Sequence, residues 1–204
     1  MSDPCLRGMR ALARRLRGGS VLNPSSYAAG VEVRPVNPLS DSDALSLLDA
    51  SFATDVIVHV EPVQAGWQLT EVPVATPVTK SNSFAAELTS PDRRWTDGVV
   101  AVEGERIVGF AATAYQAWNR RQILWHLYVD RLHRGRGVSR TLLEAVTEIG
   151  RRNGARQLWL ETQNVNVPAV RAYRALGFQL VGLDTSLYDG DVAHETALYF
   201  ARPI

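Results

Sequence analysis

The alternation of apolar and polar positions predicts a chain of many strands with two longer helices. Residues 31–36 alternate with a period of two, which is typical of a strand. Val138, Leu142 and Val146 recur at helical spacing and predict a helix from about residue 138 to 149. The same reasoning predicts strands over 55–63, 68–74, 99–102, 106–115, 123–129, 157–162, 178–183 and 196–200, and a second helix over 167–176. A hairpin-rich first half and a β-α-β-α-β second half indicate the α/β (α+β) class.

Helix-start residues, prolines and a polar run add three predictions to this pattern. Ser40–Asp43 is typical of a helix start and predicts a short helix over 44–52. Pro73 and Pro77 are expected to end the strand that begins at residue 68, because proline cannot donate to a strand ladder. The polar, irregular residues 79–97 are expected to form a surface loop.

Length and composition predict one folded domain with an extension. The chain has 204 residues, of which 46% are apolar, enough for the core of a single domain over 31–204. Residues 1–30 carry five arginines against one aspartate, and we expect a basic, flexible extension there. A short basic helix that binds a membrane surface or a partner is the alternative. The absence of a secretory pattern or a spanning apolar run predicts a cytoplasmic protein without a membrane partner.

The distribution of charge narrows the class of partner. The overall charge is +1 and residues 1–30 contribute +4, so the predicted domain carries −3. This balance argues against a nucleic-acid partner and is compatible with a small cationic ligand. A single cysteine, Cys5, without nearby ligands gives no indication of a metal site. Monomer and homodimer both remain open.

A turn rich in glycine and arginine precedes the longer helix. Gly135 and Gly137 allow a ligand to approach the backbone closely, and the following helix start offers N–H groups and a positive dipole end. Arg134, Arg136 and Arg140 would add charge-assisted contacts to an anion. These features together are typical of a phosphate-binding turn, and an empty strand–helix turn is the alternative.

Two linked motifs make this chain resemble the GNAT superfamily of acetyl-CoA-dependent N-acyltransferases. The family pattern Gln/Arg-x-x-Gly-x-Gly/Ala is matched by Arg134, Gly137 and Ser139, with serine at the last position as a departure. The downstream pattern Asn-x-x-Ala-x-x-x-Tyr is matched by Asn166, Ala169 and Tyr173. The resemblance implies a mixed central sheet with splayed central strands, flanked by helices. It also implies acetyl-CoA as cosubstrate, without a metal.

The resemblance assigns residues to the cosubstrate. Backbone amides of the glycine-rich turn would grip the pyrophosphate, and the fourth family strand would stabilise the oxyanion around residues 127–129. The residues implied for the cosubstrate are Leu127, Tyr128, Val129, Arg134, Gly135, Arg136, Gly137, Val138, Ser139, Arg140, Asn166, Ala169 and Tyr173.

Within the superfamily, residues 33–200 are similar to the streptothricin (nourseothricin) acetyltransferases. The segments that carry this similarity are 51–55, 69–74, 118–121, 160–169, 182–190 and 195–199. The similarity implies a resistance enzyme that acetylates an amine of the antibiotic's β-lysine moiety. Some relatives have a strongly acidic insert where residues 81–94 here are nearly neutral, so weaker electrostatic capture of substrate is expected.

Three residues are candidates for the chemistry. Tyr173 is the family's usual acid for the leaving thiolate, and a buried packing tyrosine is the alternative. Glu161, a polar residue in an apolar strand, is the first candidate for substrate orientation or proton removal. His126 is a second candidate base, although a lone histidine in an apolar strand is more often a core residue. A water chain without a single base is also open.

A polycationic substrate needs carboxylates and aromatic walls. The candidates for these contacts are Asp55, Glu71, Trp118, Glu161, Asp184, Tyr188 and Glu195. Two other functions stay open. The chain could be a GNAT enzyme that acetylates a protein N-terminus, a lysine or another amine, or it could be a non-catalytic acyl-CoA-binding sensor.

Overall fold

A computed structural model describes residues 30–81 and 84–204, so nearly all of the predicted extension over 1–30 lies outside the described residues. The elements in chain order are β1 (Val31–Pro35), α1 (Ser42–Ser46), β2 (Phe52–Val63), β3 (Gly66–Lys80), β4 (Asp97–Glu103), β5 (Arg106–Gln116), β6 (Arg121–Val129), α2 (Val138–Asn153), β7 (Gln157–Gln163), α3 (Val167–Ala175), β8 (Gln179–Asp184) and β9 (Ala197–Pro203). Seven strands form one sheet in the order β1-β4-β5-β6-β7-β9-β8, and β2 and β3 form a separate ribbon. The sheet is mixed, because β6 and β7 run parallel and the other neighbours are antiparallel.

Alternation along the strands gives the sheet two apolar faces. In β4, Val99 and Ala101 belong to the core under α2, while Val100 belongs to the core on the opposite face. Helix α2 presents Leu142 and Val146, both fully buried, to the first face. Each such side chain stabilises the fold by roughly 1.5–3 kcal/mol.

The second face is covered by α1 and by the segment between the ribbon and β4. Phe84 of that segment stacks on Phe110 of β5 with ring centroids 5.1 Å apart. Leu88 and Trp95 of the same segment are buried beside Leu45 of α1. The predicted loop over 79–97 is therefore a packed part of the core, and it also contains a 3₁₀ turn at Ala85–Thr89.

The sheet opens between its two central strands. The pairing of β6 with β7 runs from Arg121 and Gln157 to Leu124 and Leu160, and it ends there. On the other side of β6, Trp125 is an extra residue in the ladder with β5, a bulge that bends the strand. Residues 125–129 therefore leave β7 and form one wall of a cleft. This opening confirms the splayed central strands that the sequence predicts.

The ribbon is fastened to the sheet through Asn164, which follows β7. The side-chain amide of Asn164 donates to the Val58 carbonyl at 2.9 Å, and its oxygen accepts from the Thr196 amide at 2.8 Å. The Asn164 carbonyl also accepts from the Val58 amide at 2.9 Å. Farther along the ribbon, Glu71 pairs with Arg171 of α3. The ribbon thereby borders the cleft.

Two elements differ from the prediction. The helix predicted over 44–52 ends at Ser46, because Asp49 bonds elsewhere: its carboxylate accepts from the Ser51 amide and its carbonyl from the Arg131 amide. The strand expected to stop at Pro73 continues as β3 to Lys80.

Proline is tolerated there for a physical reason. A two-stranded ribbon pairs along only one edge of each strand, so a missing N–H on the outer edge removes no ladder bond. The prolines therefore mark the ribbon's outer edges rather than its end.

We expect Asn164→Ala to lower the free energy of unfolding by about 2–4 kcal/mol, because it leaves the buried Val58 carbonyl and Thr196 amide without their side-chain partner. Urea denaturation measures the change. Gln64→Ala, an exposed position in the turn between β2 and β3, is the control and should change the value by less than about 0.5 kcal/mol. Equal effects of the two substitutions would contradict the anchoring role.

Candidate active site

A cleft of about 460 Å³ occupies the opening between β6 and β7. Its walls come from the end of β6, the turn before α2, the end of β7 and the first turns of α3. Because the strands no longer pair there, side chains and backbone of both can reach one enclosed space. Ala50 and Phe52, just before and at the start of β2, complete the lining, so the arrangement brings residues from five chain segments together.

One end of the cleft is the glycine-rich turn. Gly135 and Gly137 have φ of 76° and 87°, the left-handed region that favours glycine. Gly137 is the N-cap residue of α2, so the helix presents its first N–H groups and positive dipole end at this point. A side chain at Gly135 would meet nothing within 4 Å, so the turn is open on its outer side. The residues present fit an anionic group such as a pyrophosphate.

Arg134 ties this turn to the rest of the molecule. Its Nη2 donates to the Ser51 carbonyl at 2.7 Å, and its Nε donates to the Val129 carbonyl at 3.2 Å. Burial lowers the pKa of the Arg134 guanidinium. The structure therefore gives Arg134 a tethering role that its charge alone would not predict.

Most of the residues predicted for the cosubstrate share the cleft. Those that line it are Leu127, Tyr128, Val129, Arg134, Gly135, Val138, Ser139, Asn166, Ala169 and Tyr173. Gly137 contributes as the helix cap, whereas Arg136 and Arg140 expose their side chains to solvent outside the cleft lining.

Tyr173 lies inside the cleft on α3. Asn166 caps this helix by accepting from the Ala169 amide at 3.2 Å, which fixes where the helix begins and which face it presents. The Tyr173 ring packs edge-on against Phe178 with centroids 5.7 Å apart, and lies 6.2 Å from the ring of Phe200. Burial raises the pKa of the Tyr173 hydroxyl, so the hydroxyl stays protonated and can donate.

Glu161 stands at the end of β7 on the same cleft. The Tyr188 hydroxyl donates a hydrogen bond to its carboxylate. Burial raises the pKa of Glu161, the bond from Tyr188 and the charge of Arg94 lower it, and the nearby Glu195 raises it again. The net direction is upward, so the carboxylate is more basic than an ordinary glutamate.

Glu195 is the buried partner of Lys80. The two form an ion pair at the base of the ribbon, and only 3% of the Glu195 side chain is exposed. Its second oxygen, Oε2, is buried without a hydrogen-bond partner among the described residues. Glu195 therefore places negative charge behind Glu161 and Tyr188 and does not line the cleft itself.

His126 lies outside the cleft lining, in contrast to the prediction that it acts on the substrate directly. Its ring belongs to the opposite face of the sheet, where Nε2 is 2.9 Å from Glu87 Oε2. The ring centroid lies 5.9 Å from that of Phe110. The bulge at Trp125 reverses which face the following side chains occupy, and the sequence pattern does not reveal such a shift.

Four other residues predicted for the substrate lie apart from the cleft lining. Trp118 is 84% exposed on the turn between β5 and β6, at the end of β6 opposite the cleft. The Asp184 carboxylate accepts from the amide and hydroxyl of Ser186, as a turn residue does. Glu71 is held by Arg171, and Asp55 is exposed on β2.

Sequence reasoning missed Trp125 and Arg94 at the cleft, and Glu87 on the opposite face of the sheet. Trp125 lines the cleft, and the Arg94 guanidinium lies 4.3 Å from the Trp125 ring centroid. Glu87, in the segment treated as a loop, pairs with His126. The spaced apolar residues Phe84 and Leu88, which flank Glu87, are the signal that could have indicated a packed segment rather than a surface loop.

Neither a metal-binding cluster nor a membrane-spanning helix is found among the described residues. Across residues 30–81 and 84–204, no group of three or more His, Cys, Asp or Glu side chains is arranged to hold a metal ion. Over the same ranges, no helix has the length and apolarity to cross a membrane.

Comparison with known proteins identifies the family. Residues 67–178 match the model of the Acetyltransferase (GNAT) family. The streptothricin acetyltransferase of Streptomyces lavendulae is 36% identical over 194 residues, which cover 88% of this chain and 98% of that protein. The chain belongs to the GNAT acetyltransferase family. The resemblance predicted from the two motifs is thereby confirmed.

Solved structures of GNAT proteins have the same fold. A nourseothricin acetyltransferase superimposes with a TM-score of 0.75 at 41% identity, covering 86% of this chain and 99% of that one. A Bacillus anthracis str. Ames structure, solved in complex with acetyl coenzyme A, has a TM-score of 0.71 at 22% identity over 85% and 99% of the two chains. The latter likeness concerns the fold alone. As a member of this family, the chain is an N-acetyltransferase.

Tyr188→Phe tests the hydrogen bond from the Tyr188 hydroxyl to the Glu161 carboxylate. It removes the donor that lowers the pKa of Glu161, so we expect that pKa to rise further. Carbon-13 NMR of labelled glutamate carboxyl groups measures it, with Glu161→Gln to assign the signal. Tyr199→Phe, opposite Glu161 on β9, is the matched control and should leave the pKa nearly unchanged. An unchanged or lower pKa in Tyr188→Phe would contradict the bond.

Proposed function

We propose that this GNAT N-acetyltransferase transfers the acetyl group of acetyl-CoA to an amine of streptothricin-class antibiotics, in their β-lysine moiety, and thereby confers resistance. One observation carries the proposal. The glycine-rich turn, Tyr173 and Glu161 share one cleft, in a chain that is similar over nearly its whole length to streptothricin and nourseothricin acetyltransferases.

The cosubstrate is proposed to occupy the cleft from the turn to the end of β7. The amides of the turn and of the first turn of α2 would bind its pyrophosphate, with Gly135 allowing close approach and Ser139 within reach. Acetyl-CoA supplies the acetyl group as a thioester. Leu127 to Val129, on the edge of β6 that has left β7, would present backbone N–H groups to the carbonyl oxygen.

Tyr173 is proposed as the acid. Its hydroxyl lies in the cleft, and burial keeps it protonated near neutral pH. A thiolate leaving the acetyl carbon would take that proton, which makes the departure favourable. The packing against Phe178 and Phe200 is compatible with this role, because a fixed ring holds its hydroxyl in one place.

Glu161 is proposed to bind the acceptor's ammonium group. Its carboxylate lines the cleft and is held by the hydrogen bond from the Tyr188 hydroxyl. An anion at this place would select a cationic amine and orient its nitrogen toward the thioester. We infer a small-molecule acceptor for this site.

An absorbance assay of thiol release tests the function against its alternatives. Purified protein, acetyl-CoA and a thiol reagent are mixed with streptothricin, with peptides bearing a free N-terminus or lysine, or with no acceptor. We expect rapid thiol release when the acceptor is the antibiotic, and no rapid release with the peptides or without an acceptor. Release only with peptides would assign the enzyme to protein substrates, and binding of acetyl-CoA without release on any amine would assign it to sensing.

We expect Gly135→Ala to raise the KM for acetyl-CoA about fivefold, because an alanine at φ 76° costs roughly 1–2 kcal/mol and pushes the turn out of shape. Gly104→Ala is the matched control, since Gly104 has φ 60° and equally open surroundings in the turn between β4 and β5. It should lose similar stability with an unchanged KM. Equal KM values for the two variants would argue against cosubstrate binding at the turn.

Tyr173→Phe should lower kcat roughly 100-fold while the Kd for acetyl-CoA changes little, since it removes the proton donor and keeps the ring. Steady-state kinetics and calorimetric titration measure the two quantities. Tyr115→Phe, on β5 away from the cleft lining, is the control and should behave as the unaltered protein. Full turnover by Tyr173→Phe at saturating substrate would exclude Tyr173 as the acid.

A further inference from the structure

Three side chains form a continuous path from the cleft to the opposite face of the sheet. Tyr128 lines the cleft, and its hydroxyl is 3.4 Å from Nδ1 of His126. Nε2 of His126 is 2.9 Å from the Glu87 carboxylate. We name Glu87, His126 and Tyr128 the β6 path. The first contact is long, as catalytic hydrogen bonds often are before substrate binds.

Packing holds the β6 path in place. The rings of His126 and Tyr128 lie 5.5 Å apart, and Phe84 stacks on Tyr128 at 4.7 Å. The ring centroid of Phe110 lies 5.9 Å from that of the imidazole. The His126 side chain is 11% exposed and that of Glu87 is 27% exposed, so on the face away from the cleft the path reaches solvent mainly at Glu87.

The contacts determine which imidazole nitrogen carries the proton. A carboxylate only accepts, so Nε2 of His126 must donate to Glu87. In a neutral imidazole, Nδ1 is then a lone-pair acceptor that faces the Tyr128 hydroxyl. The Tyr128 proton points toward His126, and the lone pairs of its oxygen remain for a donor in the cleft.

Acetyl transfer to an ammonium group needs such an acceptor. The nitrogen loses two protons during the reaction and the thiolate takes one, so one proton per turnover must leave for solvent. Glu161, as a carboxylate bound to the ammonium, favours the protonated amine and works against its deprotonation. A neutral proton acceptor beside the nitrogen can take the proton without stabilising the ammonium form as a carboxylate does.

We propose that the β6 path deprotonates the acceptor amine, with Tyr128 as the group that touches the amine and with His126 and Glu87 acting through it. This inference rests on the proposed function. The ammonium N–H bond breaks and its proton bonds to the Tyr128 oxygen, while the Tyr128 hydroxyl proton bonds to Nδ1 of His126. The imidazolium pairs with the Glu87 carboxylate until the product leaves. Nδ1 then returns its proton to the Tyr128 oxygen, and the proton taken from the ammonium passes from that oxygen to water in the emptied cleft, so that His126 is again the Nε2–H tautomer.

The charged groups around His126 determine the sign of the pH dependence. Glu87 and Arg94 face it from the segment before β4, and Tyr128 faces it from its own strand. Burial lowers the pKa of His126, Glu87 raises it, and Arg94 lowers it, with a net downward direction. The path works while His126 is neutral, so kcat should fall as the pH falls through the pKa of His126.

Glu87→Gln is the kinetic test. It removes the charge that stabilises the imidazolium, so kcat should fall about tenfold, the KM for the antibiotic should stay within about twofold, and the acidic inflection of the kcat profile should move to lower pH. Asp92→Asn, an exposed carboxylate of the same segment, is the matched control and should preserve the whole profile. A Glu87→Gln profile that matches the control, or that falls equally at every pH, overturns the proposal.

Tyr128→Phe and Glu161→Gln separate the two roles in the cleft. Tyr128→Phe should lower kcat about 10- to 100-fold with little change in KM, whereas Glu161→Gln should mainly raise the KM for the antibiotic. If Glu161→Gln lowers kcat as the path variants should and Tyr128→Phe does not, Glu161 is the base and the proposal fails.

Nitrogen-15 NMR tests the β6 path without turnover. In labelled protein at pH 8, His126, assigned by its loss in His126→Gln, should carry its proton on Nε2. In Glu87→Gln, a mixture of both tautomers is expected. A predominant Nδ1–H form in the unaltered protein overturns the path even if the antibiotic is acetylated. Failure of the unaltered protein to acetylate the antibiotic, together with the expected tautomer, would reject the proposed acceptor and leave the path standing.

Discussion

The separation of β6 from β7 beyond Leu124 and Leu160 is the constraint on which the other features depend. Two hydrogen-bonded parallel strands lie about 5 Å apart and leave no space between them. When the pairing ends, both strand edges become walls, and α2 and α3 begin where these walls open. The glycine-rich turn, Tyr173 and Glu161 can share one space because the sheet does not close.

The bulge at Trp125 gives β6 two different tasks. Leu127 and Val129 pack against the core shared with α2, while His126 and Tyr128 belong to the aromatic group on the other face. One strand therefore borders the cleft with its backbone and connects it to the far side of the sheet with its side chains. The segment before β4 completes this face, so a region that reads as a polar loop supports the site.

The sequence allowed most of the elements and the glycine-rich turn at one end of the cleft to be predicted, because both depend on local signals. Periodicity marks strands and helices, and glycine marks the turn before α2. Contacts between distant residues carry no such signal. Tyr188 meets Glu161 only because β7 and β9 pair, and Trp118 points away from the cleft because it sits at the other end of β6. The helix predicted over 44–52 ends early for the same reason. The Asp49 carbonyl accepts a hydrogen bond from the Arg131 amide, which lies far along the chain.

The ribbon of β2 and β3 is less firmly held than the large sheet. It shares few residues with the large sheet and is held at Asn164, at Lys80 with Glu195, and at Glu71 with Arg171. Opening it exposes less apolar surface than unfolding the sheet, so it constitutes a cooperative unit of lower stability. The ribbon can therefore open and re-form while the large sheet stays folded, and substitutions in the ribbon can accumulate without unfolding the rest of the molecule.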